Sequence, residues 1–161
     1  MYLGLDCSSK AVHGIVLDED ENIVSQLKSY GTGSNFDLRF SEIFANFSED
    51  LSRINIISGA AVEAAIYIQN PRTTLAIAYV VGGVRVVLQE HSIPHILVDN
   101  RSWKKDIVGR GNVKKEDIKV FAIEKWGEVF KEQDFADAAC IALWYKRRRQ
   151  DGLTTDESRT N

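Results

Sequence analysis

The chain has 161 residues, 44% of them apolar and 27% charged, with a net charge of −3. This length and composition predict one globular domain that buries about 70% of its unfolded surface. Charges interrupt every apolar stretch of about 20 residues, and the first residues lack the pattern of a signal peptide. We therefore expect no membrane span and a cytoplasmic location, which would be the host cytoplasm for a viral protein.

Charge is unevenly distributed along the chain. Residues 1–70 carry 10 acidic and 4 basic side chains, a net of −6, whereas residues 71–161 carry 16 basic and 13 acidic, a net of +3. This distribution argues against a general polyanion binder but allows a basic track beside an acidic site. Cys7 and Cys140 are too few for a disulfide framework or a zinc site, and their apolar surroundings predict core positions.

The N-terminal third has the pattern of a meander followed by a helix. Strands are predicted at Tyr2–Cys7, His13–Leu17 and Asn22–Tyr30, and the short polar turns between them favour antiparallel pairing. Phenylalanine, isoleucine and leucine residues then recur at helical spacing from about 36 to 53. The apolar run over 54–65 predicts a buried strand that adds in parallel to the sheet.

The remaining chain predicts one strand and four helices. The apolar segment 73–89 is too long for a strand, so we predict a helix, either a plain core helix or one whose exposed remainder forms a dimer interface. Gly82 and Gly83 within it predict a close packing contact. A strand at 93–98 and helices at 102–108, 114–126 and 134–149 follow. The domain is predicted to span 1–149, followed by a polar, disordered tail over 150–161.

Four carboxylates stand at the ends of apolar elements. Asp6 ends the first apolar run, Glu63 follows Gly59-Ala60-Ala61-Val62, and Asp134 and Asp137 open the last helix. A carboxylate beside core elements is costly unless it is paired or binds a cation. The pattern therefore predicts a convergent acidic site that holds a hard divalent metal, with phosphodiester cleavage as its chemistry.

Asp134 and Asp137 are three positions apart and share one face of the predicted helix. Asp134 has an alternative role, since a carboxylate near a helix N-terminus can cap the helix. The small residues around Asp137, Ala136 and Ala138 among them, indicate close packing and make a capping role for Asp137 harder to justify.

At this point the chain resembles the RuvC-type Holliday-junction resolvases of the ribonuclease H-like nuclease superfamily. The resemblance lies in Leu3-Gly4-Leu5-Asp6, Ala61-Val62-Glu63 and Asp134-Phe135-Ala136-Asp137-Ala138-Ala139, together with a loop over 107–115 similar to VVG-x-G-x-x-x-K. It implies an α/β, ribonuclease H-like fold with a five-stranded mixed sheet flanked by helices. Asp6 would lie on the central strand, Glu63 at the end of the fourth, and the two late aspartates opposite them.

The resemblance also implies the cofactor and the catalytic residues. Asp6, Glu63, Asp134 and Asp137 would hold two Mg2+ ions, with Mn2+ as a substitute, about 4 Å apart. One ion would activate the attacking water and the other would stabilise the leaving 3' oxygen, which gives 5'-phosphate and 3'-hydroxyl ends. Lys115 would complete the catalytic set by offsetting transition-state charge.

DNA contacts are implied by the basic residues of the same region. Lys104 and Lys115 match lysines near the scissile phosphate in the family, and Lys105, Arg110 and Lys114 are further candidates. Alternatively, the two lysines at 114 and 115 form a solvated helix start, and the run Lys146-Arg147-Arg148-Arg149 is a solubilising helix end.

Two positions depart from the family pattern. Cys7-Ser8-Ser9 stands where the family often has Pro-Gly, and Ile66 stands where bacterial members have an aromatic residue that stacks on an opened base. Tyr67 is the candidate for that stacking, with a core role as the alternative. The three histidines, His13, His91 and His95, are assigned structural or surface roles, and Trp103, Trp126 and Trp144 are expected to pack.

The leading hypothesis is a homodimeric endonuclease that resolves four-way junctions by paired symmetric incisions. The same fold could instead cut flaps, three-way junctions, forks or an RNA–DNA hybrid. From other classes come a non-cleaving junction-binding protein and a phosphate-binding domain of the actin-like or sugar-kinase type. The last alternative rests on Leu5-Asp6-Cys7-Ser8-Ser9-Lys10 and lacks a second phosphate loop.

Overall fold

A computed structural model of the chain describes residues 1–65, 69–127 and 130–152. Its centre is a five-stranded mixed sheet with the strand order β3-β2-β1-β4-β5. The strands are β1 (Tyr2–Cys7), β2 (Ala11–Leu17), β3 (Ile23–Tyr30), β4 (Gly59–Glu63) and β5 (His95–Val98). The first three form the predicted antiparallel meander, and β4 and β5 add in parallel. The predicted fold class is confirmed, with β1 at the centre of the sheet.

Within the described residues, five helices flank the sheet. They are α1 (Phe36–Ser52), α2 (Pro71–Glu90), α3 (Asn100–Val108), α4 (Lys115–Trp126) and α5 (Gln133–Gln150). Asparagine or aspartate side chains accept backbone N–H bonds at the starts of α1, α2 and α3. Gly109 and Gly127 end α3 and α4 in the left-handed conformation that glycine adopts most easily.

The predicted strand over 54–65 is wrong in its first half. The strand begins only at Gly59, which pairs with Tyr2 at the start of β1, so the residues before it lack a neighbouring strand with which to form a ladder. Ile54 and Ile57 still pack on the core, whereas Ile56 is 84% exposed. The apolar run was therefore a mixture of a core-packed connection and a five-residue strand.

Helix α2 is half-buried and does not have the all-round burial its composition suggests. Val80, Val84 and Leu88 face the core, and Leu75 and Val86 are more than half exposed. The predicted close contact is confirmed at Gly83, where a Cβ atom would lie 2.0 Å from the Phe44 ring. By length and composition alone α2 could cross a membrane, a property that it shares with core helices of globular proteins.

The domain boundary at residue 149 stays a prediction. Helix α5 extends to Gln150 and is followed by a turn at residues 151 and 152. The rest of the predicted tail, 153–161, lies outside the described residues.

The alternation of side chains along the strands decides which residues meet α5. Tyr2, Ile15 and Ala61 belong to the core cluster between the sheet and helices α3, α4 and α5. Leu3, Leu5 and Val62 belong to the opposite cluster, which α1 and α2 cover. Because side chains alternate with a period of two, Asp6 and Glu63 project on the α5 face together with Tyr2 and Ala61.

Candidate metal centre

The carboxylates of Asp6, Glu63, Asp134 and Asp137 converge where β1 and β4 end beneath the first turns of α5. Burial raises the pKa of Asp6 well above its ordinary range, and the negative charges of Glu63, Asp137 and Asp134 raise it further, in that order. The predicted grouping is therefore present in the fold.

Asp137 lies on the inner face of α5 and is 8% exposed. Burial raises its pKa to about 6, against a lowering hydrogen bond from Gln133, and the charge of Glu63 also raises it. The Gln133 amide Nε2 donates to Asp137 Oδ1 over 2.9 Å, one helical turn away. Lys104 and Lys115 act on the same carboxyl and lower its pKa. Asp137 is thus a buried acid that two lysines partly compensate.

Glu63, the last residue of β4, is held from the side of α3. Trp103 Nε1 donates to Glu63 Oε1 over 2.9 Å, and Asn100 Nδ2 donates to the same oxygen. Trp103 is fully buried, as predicted for a packing residue, but its indole N–H has this additional polar role. Two donors on one oxygen fix the orientation of the carboxylate.

Asp134 occupies the first turn of α5, so it is not the N-cap residue. That position belongs to Glu132, and the capping alternative for Asp134 is wrong. Asp134 instead lies beside His13, with 3.5 Å between His13 Nδ1 and Asp134 Oδ2. Among the described residues, His13 Nδ1 has no hydrogen-bond partner.

His13 has a structural role, as expected, but its position beside the acidic cluster was not predicted. It is 3% exposed, pairs across the ladder with Asp6, and places Nε2 at 3.2 Å from Glu132 Oε2. Its ring also meets the Phe135 ring edge-on at 5.0 Å. The signal was in the alternation, because His13 shares a face with Ile15 and Leu17, which pack under α5. The other two histidines have local partners, Ser48 for His91 and the Ile93 carbonyl for His95.

The four carboxylates fit a hard divalent cation by their chemistry, although they do not form a preassembled coordination shell. Across residues 1–65, 69–127 and 130–152, no three His, Cys, Asp or Glu side chains have the spacing of a metal site. The fit rests on chemistry: burial and neighbouring negative charges raise the pKa of Asp6 and of Asp137, and a divalent cation relieves that repulsion through oxygen ligands. We name Asp6, Glu63, Asp134 and Asp137 as the residues that could hold it.

Two of the predicted DNA-contact residues, Lys104 and Lys115, lie near the acidic cluster. Lys104 lies 5.2 Å from the Trp103 ring, and Lys104 and Lys115 both act on Asp137. Lys105 and Lys114 are exposed. Arg110 is exposed as well, but it pairs with Asp117 at 3.2 Å and would have to exchange that partner for a phosphate. Tyr67 and Ile66 lie outside the described residues.

The turn after Asp6 replaces the family's Pro-Gly with a serine-based turn. Ser8 Oγ accepts the backbone N–H groups of Lys10 and Ala11 at 3.3 and 3.0 Å, and Ser8 N donates to the Ala11 carbonyl at 2.9 Å. A side-chain oxygen thus supplies the local constraint that proline would otherwise give. The turn brings β2, and with it His13, back alongside Asp6.

Comparison with known proteins gives a consistent result. No protein-family profile matches the chain. It is 29% identical over 96 residues to the crossover junction endodeoxyribonuclease RuvC of Ehrlichia chaffeensis, a match that covers 58% of this chain and 61% of that relative. The match thus spans less than two thirds of the curated relative.

Solved structures match over nearly the whole chain. Thermus thermophilus RuvC in complex with a Holliday junction substrate superposes with a TM-score of 0.80 at 18% identity, over 95% of this chain and 98% of that one. The yeast mitochondrial Holliday junction resolvase gives 0.58 at 18% identity, over 92% and 79%. At these identities the matches establish the ribonuclease H-like fold. The resemblance to RuvC-type resolvases is thereby confirmed in both sequence and fold.

Proposed function

We propose that this protein is a divalent-metal-dependent, structure-selective DNA endonuclease of the RuvC type that resolves four-way junctions. The observation that carries the proposal is the convergence of Asp6, Glu63, Asp134 and Asp137 on a fold shared with RuvC. A phosphate-binding domain of the actin-like type would place a phosphate near Asp6, where three further carboxylates would repel it. A non-cleaving junction-binding protein would gain nothing from burying these charges.

The residues present can be given roles in phosphodiester hydrolysis. When bound, Mg2+ or Mn2+, proposed as two ions, would supply an activated water and stabilise the leaving 3' oxygen. Because burial and the neighbouring carboxylates raise the pKa of Asp6, cation binding at this cluster is coupled to proton release. Gln133 keeps the Asp137 carboxylate oriented through its 2.9 Å bond.

Lys104 and Lys115 are proposed to contact the phosphate. Both are near enough to Asp137 to lower its pKa, so two ammonium groups stand beside the acidic cluster. There a lysine binds the backbone and offsets charge that develops in the transition state. Lys105, Arg110 and Lys114 extend this basic surface and would contact the duplex arms.

The substrate range is a proposal as well. RuvC and the yeast resolvase are Holliday junction enzymes by name, and a four-way junction is therefore the first substrate to test. Flaps, three-way junctions and forks are the second candidates, because the same acidic site cuts any backbone that the basic surface presents to it. The expected cytoplasmic location stays a prediction.

We further propose a homodimer, with α2 as the contact. Leu75, Tyr79, Gly82 and Val86 form a stripe along its outer face, and the three large side chains are 54–58% exposed. A Cβ atom on Gly82 would meet no described atom within 4 Å, so the helix surface is flat there and lets a second helix approach closely. Two copies related by a two-fold axis would place two active sites for paired incisions.

The test compares a labelled four-way junction, a three-way junction and linear duplex, each with and without Mg2+. Asp6→Asn and Asp137→Asn are the site variants, and Asp151→Asn, which changes an exposed carboxylate just beyond α5, is the matched control. We expect both site variants to lose cleavage by at least about a hundredfold while the control cleaves normally. Junction binding without metal should be unchanged or slightly tighter, since less negative charge faces the phosphates.

Cleavage by Asp137→Asn at the wild-type rate, or cleavage that persists in EDTA, would contradict the metal assignment. Equal cutting of the linear duplex would contradict selectivity for branched DNA. A three-way junction cut faster than the four-way junction would favour the second candidate substrates.

A further inference from the structure

The acidic cluster receives two hydrogen bonds from α3 that the proposed chemistry does not use directly. Trp103 Nε1 and Asn100 Nδ2 both donate to Oε1 of Glu63, the first over 2.9 Å. Asn100 is the first residue of α3, and Trp103 follows one turn later on the same face. The helix start is itself fixed, because Asp99 accepts the Ser102 N–H at 3.0 Å.

Trp103 is a large, rigid side chain, and it holds its indole N–H at a fixed place beside Glu63. Trp103 is fully buried in the core cluster that also packs α5, so its indole has little freedom to move. Trp103 and Asn100 each donate one hydrogen bond to Glu63 Oε1, and neither donor occupies Oε2. A carboxylate held in this way presents one defined oxygen to the space that it shares with Asp6.

The same helix carries a lysine of the basic surface. Lys104 follows Trp103 directly, and its ammonium group stands 5.2 Å from the centre of the indole ring. It also acts on the Asp137 carboxyl. Helix α3 therefore connects a phosphate-contact residue to the orientation of Glu63 through a single rigid side chain.

We propose that Trp103 and Asn100 are positioning residues that fix Glu63 for cation binding and join the metal site to the DNA-contact helix. The inference rests on the proposed function of the acidic cluster. Outer hydrogen bonds of this kind change metal affinity or activity by about 10–100-fold when they are removed. Their effect should therefore appear in cation binding before any DNA is present.

The test measures Mn2+ binding to the full chain by the electron paramagnetic resonance signal of free Mn2+. Trp103→Phe removes the N–H and keeps a ring, and Asn100→Ala removes the other donor. The matched control is Trp144→Phe, since Trp144 is also buried and donates Nε1 to a carboxylate, Asp106, over 2.8 Å, outside the acidic cluster.

We expect Trp103→Phe and Asn100→Ala each to weaken Mn2+ binding about tenfold or more, and Trp144→Phe to leave it at the wild-type value. Cleavage by the two positioning variants should fall at limiting Mg2+ and recover at high Mg2+, with metal-free junction binding unchanged. Thermal melts identify any variant that does not fold, and Asn100, which is only half-buried, provides the test if Trp103→Phe fails.

Wild-type Mn2+ affinity in both positioning variants, or the same loss in Trp144→Phe, would overturn the inference, as would a wild-type chain that binds no Mn2+. A failure of the proposed nuclease function can be distinguished from a failure of this inference. A wild-type chain that binds Mn2+ with the predicted dependence on Trp103 and cuts no branched DNA would retain the positioning role and refute the activity.

Discussion

Gly4 of β1 lies directly against the backbone of Ala142 in α5. A Cβ atom at Gly4 would come within 2.2 Å of the Ala142 nitrogen and 2.1 Å of the Ala138 carbonyl oxygen. Strand and helix therefore approach more closely than any larger residue allows. This contact sets the distance between Asp6, two residues along β1, and Asp137, one residue before Ala138.

Gly4→Ala should therefore damage both stability and the site. The added methyl group meets backbone atoms that cannot rotate away, so we expect a loss of about 1–3 kcal/mol in the free energy of unfolding. Cleavage by this variant should also need a higher Mg2+ concentration, because α5 is displaced from β1 and Asp137 from Asp6. Urea denaturation and a Mg2+ titration measure the two effects.

Gly14→Ala in β2 is the matched control for that variant. The atoms nearest to its added methyl group would be side-chain atoms of Leu27 and Leu5, which can shift. A smaller loss of stability and a normal Mg2+ dependence are expected. Equal behaviour of the two variants would show that the close approach of β1 and α5 is unimportant.

The raised pKa of Asp137 predicts how stability changes with pH. Near pH 5 the folded chain keeps a proton on Asp137 that the unfolded chain has released, so the metal-free protein loses stability as pH rises from about 4 to 6. A pKa of about 6 in place of the ordinary 3.8 corresponds to at most about 3 kcal/mol. Asp137→Asn should remove this penalty and be about 1–3 kcal/mol more stable near pH 7 in EDTA.

The advantage of Asp137→Asn should disappear near pH 4, where the carboxyl is protonated in both states of the wild type. Urea denaturation in EDTA across this range measures it, with Asp151→Asn as the control for loss of a carboxylate. Added Mg2+ should stabilise the wild type more than the variant. If Asp137→Asn were less stable than the wild type near pH 7, the ionised Asp137 carboxylate would not be the source of the stability loss.

Substitutions at the two neighbouring glycines of α2 test dimer formation and folding separately. Gly82→Leu fills open space on the outer face, so the monomer should fold normally while the dimer weakens by at least about tenfold. Gly83→Ala instead places its methyl group against the Phe44 ring and should destabilise the fold. Analytical ultracentrifugation and thermal melts distinguish the two outcomes. A wild-type monomer at micromolar concentration would rule out the proposed interface.

Removal of Glu132 tests how the start of α5 is held. Its carboxylate contacts the buried His13 and receives bonds from Lys28 Nζ at 2.7 and 2.8 Å. Because the Glu132 side chain is itself 43% exposed, Glu132→Ala should lower Tm only slightly. Glu124→Ala, an exposed glutamate of α4, is the control. No difference between the two would show that His13 needs no partner there.

Much of the architecture follows from local patterns in the sequence. The polar turns and alternating strands predicted the meander, and helical periodicity together with glycine stops predicted α1, α3 and α4 to within about two residues. The first half of the predicted fourth strand was wrong, because a strand needs a partner and β1 starts only at Tyr2. The apolar composition of residues 54–65 does not distinguish a core-packed connection plus a short strand from one longer strand.

The sequence alone predicted which four carboxylates come together, since charge at the end of an apolar element is costly wherever it occurs. Only the tertiary structure decided how they are held. Trp103 and Asn100 reach Glu63 from 40 and 37 positions away, and His13 meets Glu132 across 119 positions. Such contacts depend on the packing of α3 and α5 against the sheet, and local propensity carries no information about pairs so far apart in the chain.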